Sequence, residues 1–214
     1  MQKPRMNEKD GIMSKSTQVL DTLYKYRIPF LESLLESNDQ DKVYFKNIIN
    51  ELNKDNIEYC IIGSIAKMAY TTTREPTKDI DILVPYDNTS ISKIKAIVIK
   101  NGKIEQNIPK LQIITKADGG EITIDFLPVQ TEIDPEASIM ADYNDYQCFD
   151  ISIKIAKPEY LVWLWLESPH DKHSEDIKDI IRHNKVNIPK VISYLNHDQR
   201  NDLITKLNKI IKSI

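Results

Sequence analysis

Asp79 and Asp81 stand two residues apart in the run Asp79-Ile80-Asp81-Ile82-Leu83-Val84. In a β-strand alternate side chains share a face, so both carboxylates project together while Ile80, Ile82 and Val84 turn to the core. Paired carboxylates of this kind suit a hard divalent cation. Just upstream, Glu58-Tyr-Cys-Ile-Ile-Gly63-Ser64-Ile-Ala-Lys67-Met-Ala-Tyr70 reads as an apolar strand, a tight Gly-Ser turn and a helix. The first N–H groups of such a helix have no partner within it and can hold phosphate. Gly63 lets the backbone approach an anion closely, and the Ser64 hydroxyl can cap the helix or bond an oxygen. Lys67 lies in the first turn, where the helix dipole disfavours a cation; a triphosphate contact or plain solvation would each account for it. A third carboxylate, Asp125, sits in the apolar run Ile124-Asp125-Phe126.

This layout resembles the nucleotidyltransferase superfamily, the DNA polymerase β-like fold, whose signature is Gly-Ser or Gly-Gly opening a helix and then Asp-x-Asp on the next strand. The stretch Arg74-Glu-Pro-Thr77-Lys-Asp79-Ile-Asp81 is similar to the version found in bacterial nucleotidyltransferases, including the AbiEii-type toxins. The resemblance runs from about Tyr59 to Ile181. It implies an α/β (α+β) fold: a mixed β-sheet core with N-terminal helices and a C-terminal helical bundle. It also implies that Asp79 and Asp81 bridge two Mg²⁺ (or Mn²⁺) ions, while Asp125 binds one of them and helps deprotonate an acceptor hydroxyl. An NTP is then the substrate, NMP is transferred and pyrophosphate leaves. Arg74 would reach phosphate or brace its loop.

The downstream segment Ile155-Ala-Lys157-Pro158-Glu159, followed by Lys172-His173-Ser-Glu-Asp176, is similar to a later family motif in which Lys172 would contact the triphosphate. Two positions depart from it. His170 stands where many members carry Arg, and Trp165 where a Lys is common, so cationic contact to a triphosphate is weakened. The resemblance allows RNA, a tRNA end in a toxin-type member, a protein or a small molecule as acceptor, and an antitoxin protein as partner. A catalytically silent module that binds nucleotide, nucleic acid or protein is the competing reading. Adenylylation of a small polycationic molecule is a third.

The elements that must position these residues follow from periodicity and punctuation. Apolar residues at helical spacing predict one broken helix or two short ones over 14–37, interrupted by Pro29. A second helix is expected from Asp39 or Asp41, as cap, to about Lys54, with Val43, Phe45, Ile48, Ile49 and Leu52 inward. Strand Ile80–Val84 and helix Ser90–Lys100 come next, then a hairpin of 111–115 and 121–127 around Asp118-Gly119-Gly120. Cys148 to Ala156 alternates as one strand. Helices are expected over 160–167, 174–183, 188–195 and 198–211. Trp163 and Trp165, with Tyr160, Leu161, Leu164 and Leu166, cover nearly the whole circumference of the first, which predicts burial. Asp176 and Asp179 share a helical face and read as ion-pair partners. His173 and His183 read as core or surface residues. The expected organisation is a disordered 1–13, a core with N-terminal helices over 14–156, and a helical domain over 157–214.

The 214-residue chain carries 29 basic and 32 acidic side chains, a net charge of −3, which argues against a strongly basic nucleic-acid binder. Residues 1–56 hold nine basic and nine acidic groups, 57–150 nine and fifteen, and 151–214 eleven and eight. The acidic middle is the expected metal-binding part. Two cysteines, Cys60 and Cys148, form no metal-ligand spacing or disulfide framework. No apolar run reaches membrane-spanning length and no secretory signal opens the chain, so a reduced, cytoplasmic protein is expected.

Overall fold

The computed structural model describes residues 28–72, 77–109, 112–129, 142–168, 172–183, 186–197 and 199–214. Residues 1–13, the first part of the predicted 14–37 helix, Arg74 and His170 lie outside these. In chain order the elements are α1 (Pro29–Glu36), α2 (Asp39–Lys54), β1 (Cys60–Ile61), α3 (Gly63–Tyr70), β2 (Asp79–Pro85), α4 (Asn88–Asn101), β3 (Lys103–Ile108), β4 (Gln112–Lys116), β5 (Thr123–Val129), β6 (Tyr143–Cys148), β7 (Ile151–Ala156), α5 (Pro158–Glu167), α6 (Lys172–His183), α7 (Ile188–His197) and α8 (Asn201–Lys212).

The apolar alternation of β2 has the predicted effect: Ile80, Ile82 and Val84 are buried, whereas Asp79 is exposed and Asp81 half-buried. β2 lies inside a seven-stranded mixed sheet of order β3-β4-β5-β2-β1-β7-β6. It runs parallel to β5 and antiparallel to β1, and β1 runs parallel to β7. The register of β2 on β5 sets Asp81 beside Asp125 and Asp79 beside Thr123. The predicted Gly-Gly hairpin is the β4–β5 pair, with Gly119 at φ +73° in its turn.

Three local expectations are corrected. Asn38, not Asp39 or Asp41, caps α2, accepting the Gln40 N–H at 2.8 Å. Asp41 is instead 1% exposed and receives the Glu121 and Ile122 backbone N–H groups at 2.9–3.3 Å, which ties α2 to the turn before β5. Val43, expected inside, is 56% exposed, and Tyr44 is buried in its place. Asp41, Tyr44, Phe45, Ile48, Ile49 and Leu52 form one stripe at 100° per residue, and Val43 falls off it. Finally, the single strand over Cys148–Ala156 is a hairpin, β6 and β7, broken at Phe149 with φ +55°. The Phe149 N–H donates to Glu32 Oε1 at 2.6 Å, so a residue of α1 holds an aromatic in a conformation where glycine is usual.

α5 is buried almost all round, as its apolar circumference predicts, with Trp163 and Trp165 both inside. It packs on α3 and carries α6, α7 and α8 against it, each through one apolar stripe such as Leu203, Leu207 and Ile210 of α8. Cys60 and Cys148 are both buried, and neither is in a disulfide. Among the described residues no helix is long and apolar enough to cross a membrane.

Candidate active site

The turn from β1 into α3 is built around one contact. Gly63 opens α3 at φ +65°, and a Cβ on it would come within 2.1 Å of Asp81 Oδ2. The position therefore excludes side chains twice, by backbone conformation and by the carboxylate lying against it. The Ile62 N–H donates to the Asp81 carbonyl at 3.0 Å, which pins the turn to β2. Ile62 is the N-cap and no side chain caps the helix. Ser64 lies one residue inside the first turn, so its hydroxyl is not the cap, and the positive end of α3 faces the carboxylates. Gly63→Ala is expected to cost about 1–2 kcal/mol through backbone conformation alone. By displacing Asp81 it should also lower nucleotide transfer about 100-fold. Thermal melts and a transfer assay check this, and wild-type values in both would refute the contact.

Each outer carboxylate is held by one oxygen. The Thr77 hydroxyl donates to Asp79 Oδ1 at 2.6 Å, and Gln112 Nε2 donates to Asp125 Oδ2 at 2.9 Å. Asp125 is only 9% exposed, and its Oδ1 is buried without a hydrogen-bond partner. Burial, then the neighbouring Asp79 and Asp125, push the Asp81 carboxyl up to about 6, partly opposed by Lys172. Burial and Asp79 raise Asp125 as well, against the hydrogen bonds from Gln112 and Thr123. Crowded, poorly solvated carboxylates and an orphaned buried oxygen are what a divalent cation would satisfy. Among the described residues no three acidic, histidine or cysteine side chains come together as a group that could hold a metal ion by themselves. Mg²⁺ leaves much of its octahedron to water and substrate phosphates, so carboxylates alone need not enclose it. The donor set fits such an ion.

Gly63, Ser64, Lys67, Asp79, Asp81 and Lys172 line one cavity of about 390 Å³. Asp125 adjoins it through its register with Asp81. Trp165, His173 and Asp176 line the same cavity. Trp165 stacks on His173 with ring centroids 5.8 Å apart and 9° between planes. The helical spacing of Lys172, His173 and Asp176 was a usable signal for these last two. Trp165 stands where the resemblance expects a Lys, and its ring forms cavity wall instead.

Lys67 does not stand in solvent. It is 3% exposed, and its Nζ lies 2.5 Å from Asp176 Oδ1 and 3.6 Å from Asp179 Oδ2. Asp176 Oδ2 in turn meets His173 Nδ1 at 3.1 Å. The solvation alternative for Lys67 therefore fails, and Asp176 and Asp179 are the ion-pair partners their spacing predicted. The ammonium forms part of the cavity wall and links α3 to α6, bringing Lys172 at the start of α6 over the carboxylates.

A mixed sheet that sets Asp-x-Asp beside a third strand-borne carboxylate, against a glycine-opened helix, is the nucleotidyltransferase fold. The chain belongs to the family described as nucleotidyl transferase of unknown function (DUF2204), which matches residues 42–206. Among solved structures it is similar to ANT(2'')-Ia in complex with adenylyl-2''-tobramycin, with TM-score 0.51 and 17% identity over 76% of this chain and 96% of that one. It is also similar to an antigenic nucleotidyltransferase-like protein from Paracoccidioides brasiliensis, with TM-score 0.50 and 16% identity over 78% of this chain and 93% of the other. At these identities the likeness concerns the fold. No curated protein matches the chain in sequence at a significant level.

Proposed function

We propose that the protein transfers NMP from an NTP to a hydroxyl acceptor and releases pyrophosphate, with Mg²⁺ or Mn²⁺ held by Asp79, Asp81 and Asp125. The observation that carries this reading is the β2–β5 register, which sets Asp81 beside Asp125 while Asp81 also lies against Gly63. A cation bound there supplies charge neutralisation at the triphosphate and acidifies a bound hydroxyl. The start of α3, with Ser64, and the Lys172 ammonium hold the non-reacting phosphates. The acceptor oxygen bonds to the α-phosphorus as the bond to the bridging oxygen breaks. Asp125 takes the acceptor proton, and the departing pyrophosphate keeps the bonding electron pair.

The test incubates the purified protein with each labelled NTP and Mg²⁺ or Mn²⁺, and with RNA including tRNA, protein, or small hydroxylated molecules as acceptors. A small polycationic molecule is among the last because the ANT(2'')-Ia complex holds adenylylated tobramycin. Label in any arm supports transfer. Ser64→Ala and Lys172→Ala should each weaken NTP affinity about 10- to 100-fold, the value of one charge-assisted hydrogen bond. Calorimetry should show Mn²⁺ binding without nucleotide nearly unchanged in both. Unaltered NTP affinity would make both residues structural.

A second reading, a module that binds nucleotide and transfers nothing, is favoured by Lys67, whose charge is engaged by Asp176. It predicts a rise in melting temperature with NTP and metal but no label transfer.

A further inference from the structure

We infer that Gln112 is a positioning residue for this site: it fixes one oxygen of Asp125 so that the other is presented to the divalent cation. The inference rests on the proposed metal-dependent transfer. Gln112 lies on β4, two residues before Ile114, which pairs with Asp125 across the sheet. Residues two apart on a strand share a face, so Gln112 is a diagonal neighbour of Asp125 and within reach of its side chain. Its amide Nε2 donates to Asp125 Oδ2 at 2.9 Å, while Oδ1 is buried with no hydrogen bond of good geometry.

The two oxygens of one carboxylate are thereby made unequal. The terminal torsion of an Asp side chain is soft and roughly two-fold, so an unrestrained carboxylate in this position can turn. A hydrogen bond to Oδ2 fixes the carboxylate plane and with it the lone pairs of Oδ1. Burying Oδ1 unsatisfied is unfavourable unless something else completes it; Thr123, two residues away on β5, stabilises the charge of the carboxylate but makes no hydrogen bond of good geometry to Oδ1. The residue type also matters. Lys or Arg at position 112 would hold Oδ2 more strongly, but would neutralise Asp125 and repel a cation. An amide orients the carboxylate and leaves its charge available. Partners that orient a metal ligand from behind typically change metal affinity or activity 10- to 100-fold when removed.

The experiment compares wild type, Gln112→Leu, Gln112→Lys and Asp125→Asn. Mn²⁺ binding without nucleotide is read by electron paramagnetic resonance, folding by circular dichroism and thermal melting, and transfer by kcat and KM for NTP. Gln112→Leu should bind Mn²⁺ about 10- to 100-fold more weakly and lose a similar factor in kcat, with KM for NTP nearly unchanged. Gln112→Lys keeps a donor to Oδ2 and should lose Mn²⁺ binding while the metal-free protein melts no lower than wild type. If Gln112→Leu is folded and matches wild type in Mn²⁺ affinity and kcat, the inference is overturned while the transfer reading stands. The same holds if Gln112→Lys binds Mn²⁺ normally. If wild type itself binds no Mn²⁺ and Asp125→Asn behaves identically to it, both fall together.

Discussion

Replacing Asp81 by Asn should abolish nucleotide transfer and, at neutral pH without metal, make the protein more stable. The loss of activity should be about 10³-fold or more, since a bound cation contributes several kcal/mol to stabilising charge in such a transition state. The gain in stability has a different origin. The carboxyl group of Asp81 is displaced from its usual 3.8 to about 6 by burial, Asp79 and Asp125, so ionising it in the folded state is unfavourable. At pH 7 that corresponds to about 2–3 kcal/mol against the folded metal-free protein. The folded-state value is raised, so the penalty is present above pH 6, falls as pH drops through 6 and is gone near 3.8, where the unfolded chain also takes up the proton. Carboxylates with the opposite displacement, such as Asp87 and Asp142, lose stability at still lower pH. The difference between Asp81→Asn and wild type isolates the one group. Divalent cation should reverse the comparison, because it binds the ionised carboxylate and stabilises wild type alone. Urea unfolding at pH 7 and pH 4.5, with and without Mn²⁺, checks all four values. A variant less stable than wild type at pH 7 without metal would show that Asp81 is not under electrostatic strain.

Lys67→Met should be the most destabilising of the substitutions considered, by about 3–5 kcal/mol, because it strands the buried Asp176 carboxylate without its cation. Methionine fills much the same volume, so the effect is electrostatic rather than a cavity. Adding Asp176→Leu should recover most of the loss, as replacing a whole buried pair with apolar groups is often neutral or favourable. The double-mutant cycle therefore gives a large coupling energy. Urea denaturation of the two single variants and the double variant measures it. Coupling below about 0.5 kcal/mol would mean that α3 and α6 are joined by other contacts.

Asp79, Asp81 and Asp125 were legible because a strand has a period of two and their neighbours are apolar. The Gly63 turn was legible because few residue pairs open a helix that way. Local chemistry is written locally. What escaped was set by residues far along the chain. Nothing near Lys67 announces Asp176, and nothing near Phe149 announces Glu32, so alternation through Phe149 read as unbroken strand. β3 (Lys-Ile-Glu-Gln-Asn-Ile) is a largely exposed edge strand whose polar side chains carry no burial pattern. Asp41 looked like a cap because an Asp near a helix start usually is one. Its true partners are the amides of Glu121 and Ile122. Gln112 was invisible because its importance lies in which oxygen it bonds.

The two-residue strand β1 lies between β2 and β7, and its parallel neighbour is reached only at the pair Ile61 and Ile155. During synthesis this has a definite order. β1 and β2 leave the ribosome early, but the strand that closes the other edge of β1 follows only after β3, β4, β5 and β6. Asp176, which neutralises Lys67, emerges later still. Contacts so distant in sequence form slowly and leave edges open meanwhile. The turn at Gly63 therefore hangs from a strand supported on one side until β7 has been made. A fragment ending before residue 151 holds all three carboxylates yet lacks β7 and α6, and with α6 the Lys172, His173 and Asp176 that complete the wall of the cavity beside Gly63.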